Sequence, residues 1–359
     1  MAYTYRRTET VQSGQITGAL APFHALFSRT HNDFRTVGNG GHVQHANGYD
    51  LNLFENNLGV PGTMLKMETE SYNAATGAVS KWGRVPSIAV SSVVWWQYGD
   101  SGISSSQDDA ASLWSEFQAV YHFGNGALAL TDSTSNGRNL TNNNTVTLGT
   151  GQIGGAASFA RASSQYLSSS YGPALGDFQV SCWFKSTSKA AVERLVDKQY
   201  DTGMWMGRDA ASTDHKFGGG VREASDPYGI FNTGFTDGSW HLISSVRSGT
   251  THKLYRAGVL RTSNTVGSTN LDTSTFAIGG ETGGVGSYFN GLIDEVRISL
   301  GGWSDGQHEA DFNNQSSPTT FWGLGAEISQ VLQLVVPVYQ MVGRGAVFVV
   351  PSGMTPPNC

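Results

Sequence analysis

Residues 276–300, FAIGGETGGVGSYFNGLIDEVRISL, predict two strands separated by a glycine-rich loop. The second run places Leu292, Val296 and Ile298 on one face of a strand of period two, with mostly charged residues on the other face. Asp294 falls on the apolar side. Because a bare buried carboxylate is costly or shifts its pKa, we expect Asp294 to accept hydrogen bonds or to bind a cation.

Similar alternation predicts a β-sandwich over residues 1–113. Its runs are bounded by a glycine-rich turn at residues 38–41 and a hairpin-type turn at residues 73–77. The predicted strands are residues 3–8, 20–28, 49–54, 65–72, 79–85 and 90–98.

A Ser- and Gly-rich connection, residues 99–111, leads to a second unit over residues 114–325. Residues 178–185 alternate as a core strand, residues 253–260 predict a hairpin, and residues 304–313 predict one short helix. The fold class is therefore all-β, with two β-sandwich domains.

Residues 326–359 form an apolar C-terminal arm that contains VLQLVVPVYQMV and GAVFVVP. These segments are strand-like and too apolar for a solvated tail, and exposed edges of this kind usually pair with a partner. We expect the arm to dock or oligomerise, giving protein partners in a homo-oligomer or a larger assembly.

The composition agrees with an all-β fold. Of 359 residues, 38% are hydrophobic and only 14% are charged, while 46 are glycine. Few charges with many turn formers and aromatics suit short strands and argue against disorder.

Charge and cysteine content exclude several classes of function. The net charge is −6 with no basic run, which argues against a nucleic-acid partner. No apolar run reaches the length of a membrane span. Two distant cysteines cannot form a zinc cluster. Cys182 is predicted to be a buried small hydrophobic residue. For Cys359, three states stay open: an internal disulfide, an intermolecular disulfide and a free thiol.

Three segments in order, GGHVQHANGYDLNLF, KMETESYNAATGAVSKWGRVPSI and VVWWQYGDSGISSSQ, resemble a bacterial domain of unknown function. That domain typically precedes a laminin-G-like jelly roll in secreted and phage proteins, and it is not known as an enzyme.

The second unit resembles the laminin-G and pentraxin-like lectin jelly roll, which has the concanavalin A-like fold. The resemblance rests on LTDSTSNGRN, IGGAASF, FQVSCWFK, DGSWHLISSVR, LYRAGVL and FNGLIDEVRISL. One departure stands out, because relatives usually carry Asp before the glycine of the LYRAGVL turn, where this chain has Ala257.

The resemblance implies a structural calcium ion between an early Asp-rich loop and the late strand. Asp132, Asn136 and Asp294, with backbone carbonyls, would supply oxygen ligands of the kind calcium prefers. The alternative is that Asp294 accepts backbone hydrogen bonds and Asp132 caps a turn.

Three aromatic residues in the middle of the jelly roll, Tyr200, Trp205 and Tyr228, are candidates for stacking on the sugar rings of a cell-surface glycan. The alternative is that they are core aromatics, and this is favoured for Trp205, which alternates with two methionines.

Catalysis has little support in the sequence. A glycosidase needs two carboxylates that flank a cleft. Some catalytic members of this superfold carry E-x-D-x-x-E on one strand, and this triplet is absent here. Glu193, Asp197 and other acidic residues of the second unit read as scattered through loops, and His241 reads as structural. We predict no catalytic residues.

Three hypotheses for function follow. The N-terminus shows no apolar secretory segment, which favours a phage virion component such as a fibre, decoration or tail-associated protein. The alternative is a secreted bacterial adhesin or polysaccharide-binding module at the cell surface. A carbohydrate-active enzyme is the third.

Overall fold

The computed structural model describes residues 3–55, 63–170, 176–188, 192–198, 204–208, 217–221, 228–230, 235–266, 275–329, 341–342 and 345–346. For residues 228–230, 341–342 and 345–346 it describes the backbone alone. Tyr200, Cys359 and most of the predicted C-terminal arm lie outside these ranges.

The chain consists mainly of short strands, as alternation predicted. The first six are β1 (Tyr5–Val11), β2 (Phe23–Thr30), β3 (Asn52–Phe54), β4 (Lys66–Asn73), β5 (Ala78–Val85) and β6 (Val93–Tyr98). A helical turn, α1 (Ala110–Leu113), follows them, and 3-10 turns occur at Asn32–Phe34, Val37–Asn39 and Arg161–Ser163.

The second part begins with another series of strands. These are β7 (Phe117–Tyr121), β8 (Leu140–Asn143), β9 (Thr147–Thr150), β10 (Gly155–Phe159), β11 (Tyr166–Ser169), β12 (Phe178–Lys185), β13 (Glu193–Lys198), β14 (Met204–Arg208), β15 (Gly218–Val221), β16 (Tyr228–Ile230), β17 (Trp240–Ser248), β18 (Thr251–Arg256), β19 (Val259–Thr265), β20 (Ala277–Ile278) and β21 (Gly291–Ser299). The chain continues through α2 (Asp305–Ser316), α3 (Pro318–Phe321), β22 (Trp322–Leu324), β23 (Ile328–Ser329), β24 (Met341–Val342) and β25 (Gly345–Ala346).

Two sheets, of eight and seven strands, make the second domain a jelly roll. The larger has the order β19-β18-β17-β12-β21-β10-β9 with β7 also paired to β21, and the smaller has the order β16-β15-β14-β13-β20-β11-β8. Side chains from both sheets, including Cys182, Phe184 and Met206, fill one apolar core. The prediction that Cys182 is a buried hydrophobe is confirmed.

The N-terminal domain is a smaller sandwich. One sheet has the order β22-β1-β6-β3 with β23 also on β1, and the other has the order β2-β5-β4. Trp96 and Leu53 from the first sheet pack with Phe27 from the second in a common core. The all-β class with two sandwiches is confirmed.

The end of the jelly roll differs from the predicted boundary at residue 325. After α2 the chain returns to the N-terminal domain, where Trp322 pairs with Val11 and Ile328 pairs with Arg6. Residues up to Ser329 therefore complete the first sheet, so the start of the predicted arm is part of a folded domain. The physical reason is long-range pairing, because the open edge of β1 accepts strands that are more than 300 positions away in sequence.

The alternation predicted along β21 holds for Val296 and Ile298, which face the core, and is wrong for Leu292 and Asp294. Glu295 has φ +51°, and the pairing with β12 shifts register there, so two residues of β21 oppose one of β12. Ile293 and Val296 consequently both face the core, whereas Asp294 pairs with Trp183 on the opposite face. Asp294 is fully buried all the same.

Candidate functional site

Five ionisable side chains meet where the two domains touch, and we name them the junction cluster: Glu68, Glu70, His122, Asp294 and Glu295. Alternation along β4 puts Glu68 and Glu70 on one face of the N-terminal sandwich. His122 follows β7, and the bulge in β21 turns Glu295 toward it. Because the cluster combines residues of both domains, the pattern of either domain alone could not predict it.

His122 lies between carboxylates from both domains. Its Nδ1 is 2.7 Å from Glu295 Oε1, and its Nε2 is 3.3 Å from Glu68 Oε2. Glu68 in turn accepts hydrogen bonds from Trp114 Nε1 at 2.6 Å and Ser133 Oγ at 2.7 Å. The imidazole is thus held by an acidic partner on each side.

The other two carboxylates approach the cluster over the turn between β9 and β10. Glu70 accepts a hydrogen bond from Trp82 Nε1 at 3.2 Å. Asp294 accepts hydrogen bonds from the backbone N–H groups of Ile153 and Glu295, at 3.0 and 2.8 Å.

Two glycines of that turn make this approach possible. A Cβ at Gly154 would lie 2.2 Å from Glu70 Oε1, and a Cβ at Gly151 would lie 2.6 Å from Asp294 Oδ2. A side chain at either position would therefore displace a carboxylate of the cluster.

Burial and mutual repulsion shift the ionisation of the cluster. Burial, with the nearby Glu295 carboxylate, raises the pKa of Glu70 to about 8 and raises the pKa of Asp294 well above its usual range. Burial would lower the pKa of His122, but Glu295 and Glu68 outweigh it and raise that pKa well above normal. Burial would raise the pKa of Glu68, and His122 outweighs it, so this pKa is lowered.

A cavity of about 140 Å³ opens beside the cluster. Its lining includes Glu68, Glu70 and His122 from the cluster, with Thr131 and Ser133 from the loop after β7. Such a volume admits water or a small ion and is far below that of a typical ligand pocket.

The sequence-predicted calcium ligands lie near the junction and are engaged in hydrogen bonds. Asp132 accepts hydrogen bonds from the backbone N–H groups of Val120, Thr134 and Arg138. Asn136 donates from Nδ2 to backbone carbonyls of β7. Together with the two N–H bonds to Asp294, these contacts match the turn-capping alternative, and the calcium site stays a prediction.

Of the three predicted sugar-binding aromatics, Trp205 is described in full. It lies on β14, is 3% exposed, and has the Arg194 guanidinium 4.6 Å from its ring centroid. This burial matches the core-aromatic alternative. Tyr228 lies on β16 with only its backbone described, and Tyr200 lies outside the described residues, so the sugar-binding role stays a prediction.

Glu193 and Asp197, which the sequence suggested lie in loops, are both on β13. Glu193 pairs with Arg161 at 2.8 Å and with Arg208 of β14, while Asp197 accepts a hydrogen bond from Thr282 Oγ1 at 2.9 Å. We name Arg194, Asp197 and Trp205, which share the side of the seven-stranded sheet that faces away from the core, its polar face. The bulge in β13 after Arg194 puts Glu193 and Asp197 on opposite sides of the sheet, so their spacing in the sequence gave no signal of a shared site.

Residues 160–301 match the family model described as the concanavalin A-like lectin/glucanases superfamily, laminin G type. The second domain is a laminin-G-like jelly roll. The match confirms the resemblance read from the sequence for this domain. A search of curated proteins gave no match.

Several solved structures are similar to this chain. Domain 4 of AbnA, a GH43 extracellular arabinanase from Geobacillus stearothermophilus solved with arabinotriose, is 23% identical, with coverage of 55% of this chain and 98% of that domain and a TM-score of 0.45. The binding domain of Paraclostridial mosquitocidal protein 1 is 12% identical, with coverages of 55% and 52% and a TM-score of 0.46. The receptor-binding domain of botulinum neurotoxin type G is 12% identical, with coverages of 56% and 52% and a TM-score of 0.45. The chain spans about half the length of both toxin domains.

Proposed function

We propose that the chain is a non-catalytic structural and binding protein whose laminin-G-like jelly roll recognises carbohydrate. The observation that carries this proposal is the family match over residues 160–301, which covers strands of both sheets of the second sandwich. Because this fold serves lectins, enzymes and scaffolds alike, the proposal also needs support from the residues of the chain.

The domain junction supports a structural role. Asn314 of α2 holds the backbone of Leu26 in β2, with Leu26 N–H donating to Oδ1 at 2.6 Å and Nδ2 donating to the Leu26 carbonyl at 2.9 Å. On the other side of the same helix, Gln315 accepts a hydrogen bond from Trp183 Nε1 at 2.8 Å. One helix thus contacts both sandwiches through buried hydrogen bonds, which favours a fixed position of the jelly roll relative to the N-terminal domain.

Carbohydrate as the ligand class rests on the predicted aromatic contacts of the jelly roll, of which Trp205 and Tyr228 lie on strands of the seven-stranded sheet. An aromatic ring with a few polar groups is the combination that orients sugars in binding sites. Because Trp205 is 3% exposed, we propose Tyr200 and Tyr228 as the residues that contact the glycan. A structural calcium at Asp132, Asn136 and Asp294 remains part of the proposal.

The acidic residues of β13 support binding without catalysis. Glu193 is held by two arginines and Asp197 by Thr282, so both carboxylates serve as partners in fixed pairs. We expect no release of reducing ends from any polysaccharide that the chain binds. Turnover that Glu193→Gln or Asp197→Asn abolishes, with the fold intact by circular dichroism, would overturn this part of the proposal.

Within this role we propose a virion component, with the apolar C-terminal arm docking onto other subunits. None of the helices in the described ranges has the length and apolar character of a membrane span.

In the N-terminal domain, Glu327 accepts a hydrogen bond from Tyr98 at 2.6 Å and lies 2.8 Å from His42. A truncation that tests the arm should therefore leave these residues and β23 in place.

Light scattering of the full chain and of a version ending at Ser329 tests the assembly role. We expect the full chain to form oligomers or larger assemblies and the shortened chain to be a folded monomer. Two monomers of equal stability would contradict the arm as an assembly element, and glycan binding by such a monomer would support the secreted adhesin instead.

A further inference from the structure

The junction cluster contains donor atoms that no described residue satisfies. Glu295 is fully buried, and its Oε2 has no hydrogen-bond partner among the described residues. The same holds for the buried Oε1 of Glu70. The Nε2 of His122 has Glu68 as its partner at 3.3 Å, so Nδ1, on the Glu295 side of the ring, is the nitrogen available to an ion. Buried polar atoms in native proteins nearly always have a partner, so these two carboxylate oxygens indicate one that protein groups do not supply.

The donor atoms are close enough together to share one ion. One ligand atom each from Glu70, His122 and Glu295 lie within 4.8 Å of one another. Metal–ligand bonds of about 2.0–2.2 Å require donors no more than about 4.4 Å apart, so the side chains would close by a few tenths of an ångström. The glycine at position 154, where a Cβ would strike Glu70 Oε1, keeps the space open.

The charge balance also favours a cation. The cluster has four carboxylates and one imidazole, and Arg297, the nearest described arginine along β21, is already paired with Asp311. Uncompensated buried charge is costly, and it is relieved by protons or by a metal ion.

We propose that Glu70, His122 and Glu295 bind a divalent transition-metal ion that joins the two domains. An imidazole with carboxylates is a donor set typical of zinc and its neighbours, whereas calcium prefers oxygen ligands alone. Glu68, held by Trp114 and Ser133, would orient the imidazole from the second coordination sphere. The ion would tie β4 of the first domain to β21 of the second. It is distinct from the calcium site at Asp132 and Asp294, because it uses other side chains.

The test uses the full chain, dialysed against a chelator and titrated with ZnCl2 by isothermal calorimetry and thermal unfolding. We expect one equivalent to bind and to raise the melting temperature. Glu70→Gln keeps the side-chain volume and an acceptor for Trp82, and it should weaken zinc binding at least about tenfold. In chelator, Glu70→Gln should be no less stable than the wild type, since glutamine is close in shape to the protonated carboxyl that burial favours. The wild type should thus be the more stable protein only when zinc is present. A residue with a purely structural role would not make the order of stability depend on zinc.

Asp33→Asn provides the matched control. Asp33, His42 and Glu327 form the other described group of carboxylates and histidine with ligand atoms within 4.8 Å, and it is half-buried at the surface. Zinc binding should survive this change. Loss in Asp33→Asn with retention in Glu70→Gln, or absence of stoichiometric zinc binding by the wild type, would overturn the proposal. So would a chain that binds only calcium and loses it with Asp132→Asn.

Discussion

Arg297 of β21 and Asp311 of α2 form a buried, two-point ion pair, with Nη1 to Oδ1 at 3.1 Å and Nη2 to Oδ2 at 2.7 Å. The guanidinium also lies 5.6 Å from the ring centroids of Trp82, in the N-terminal domain, and Trp303, which precedes α2. The pair therefore sits where the jelly roll, the helix and the first sandwich meet. Its integrity bears directly on how the domains are joined.

Breaking this pair should be strongly destabilising. Asp311→Asn leaves a buried guanidinium without its countercharge, and we expect the free energy of unfolding to fall by about 3–5 kcal/mol. Urea denaturation measures this. The exposed pair of Lys66 and Asp109 is the control, and Lys66→Ala should cost less than about 1 kcal/mol. Equal losses in the two variants would contradict a junction role for Arg297 and Asp311.

Asn314 offers a second test of the junction. Asn314→Ala removes the acceptor of the buried Leu26 N–H, while the Leu26 carbonyl keeps its bond from Trp322 Nε1 at 3.2 Å. We expect a loss of about 1–3 kcal/mol, measured by thermal or urea unfolding. The neighbouring Asn313→Ala removes a half-buried bond to the Gln15 carbonyl and should cost less. A larger loss at Asn313 would be evidence against this account.

Ala257, in the hairpin between β18 and β19, is a position where a substitution should increase stability. Ala257 and Gly258 both have positive φ, +50° and +74°, as the tight turn requires. An alanine there is strained, so Ala257→Gly should raise the free energy of unfolding by about 0.5–1 kcal/mol. Ala75→Gly, in a turn where the alanine has no positive φ, should instead be neutral or destabilising.

The same turn shows what the sequence could predict. The LYRAGVL pattern placed a hairpin at residues 253–260, and the departure at Ala257 marked the residue that the structure finds in the left-handed region. Periodicity and turn residues are local properties, so they identify strands, hairpins and the capped helix α2 from a single sequence. The sandwich class followed from these elements together.

Glu295 shows why the site could not be predicted in full. A period-two reading assumes an unbroken strand, and the bulge at Glu295 exchanges the faces of the residues that follow it. Nothing in the local sequence requires that bulge, because it depends on pairing with β12. The junction cluster was missed for the same kind of reason, since Glu68 and Glu295 are brought together by the contact between domains.

Three buried histidines each contribute a loss of stability in mild acid. Burial lowers the pKa of His24 and of His308 to about 3, and that of His252 to about 4. In the unfolded chain these rings titrate near pH 6.5. In the folded state these rings stay neutral down to about pH 4, so their contribution to stability is complete above about pH 6.5 and falls as the pH is lowered. The raised pKa values of Glu70 and Asp294 act in the opposite direction over this range. Each histidine adds a slope of about 1.4 kcal/mol per pH unit.

Urea unfolding between pH 7 and pH 5 measures this slope. His252→Gln retains a partner for Ser245 Oγ, which lies 2.8 Å from the imidazole, and removes one titrating ring. In the variant, about one proton fewer should be taken up on unfolding. Its free energy of unfolding should therefore fall less steeply with decreasing pH, by about 1.4 kcal/mol per pH unit. An unchanged slope would mean that His252 is not buried in the neutral form.

The most direct test of the account is equilibrium binding of the full chain to a panel of immobilised bacterial polysaccharides, with product release measured in the same samples. The account predicts saturable binding to at least one polysaccharide, weakened by Tyr228→Ala, and no soluble sugar product. A folded chain that binds none of them, or that cleaves what it binds, would contradict a carbohydrate-recognising and non-catalytic jelly roll.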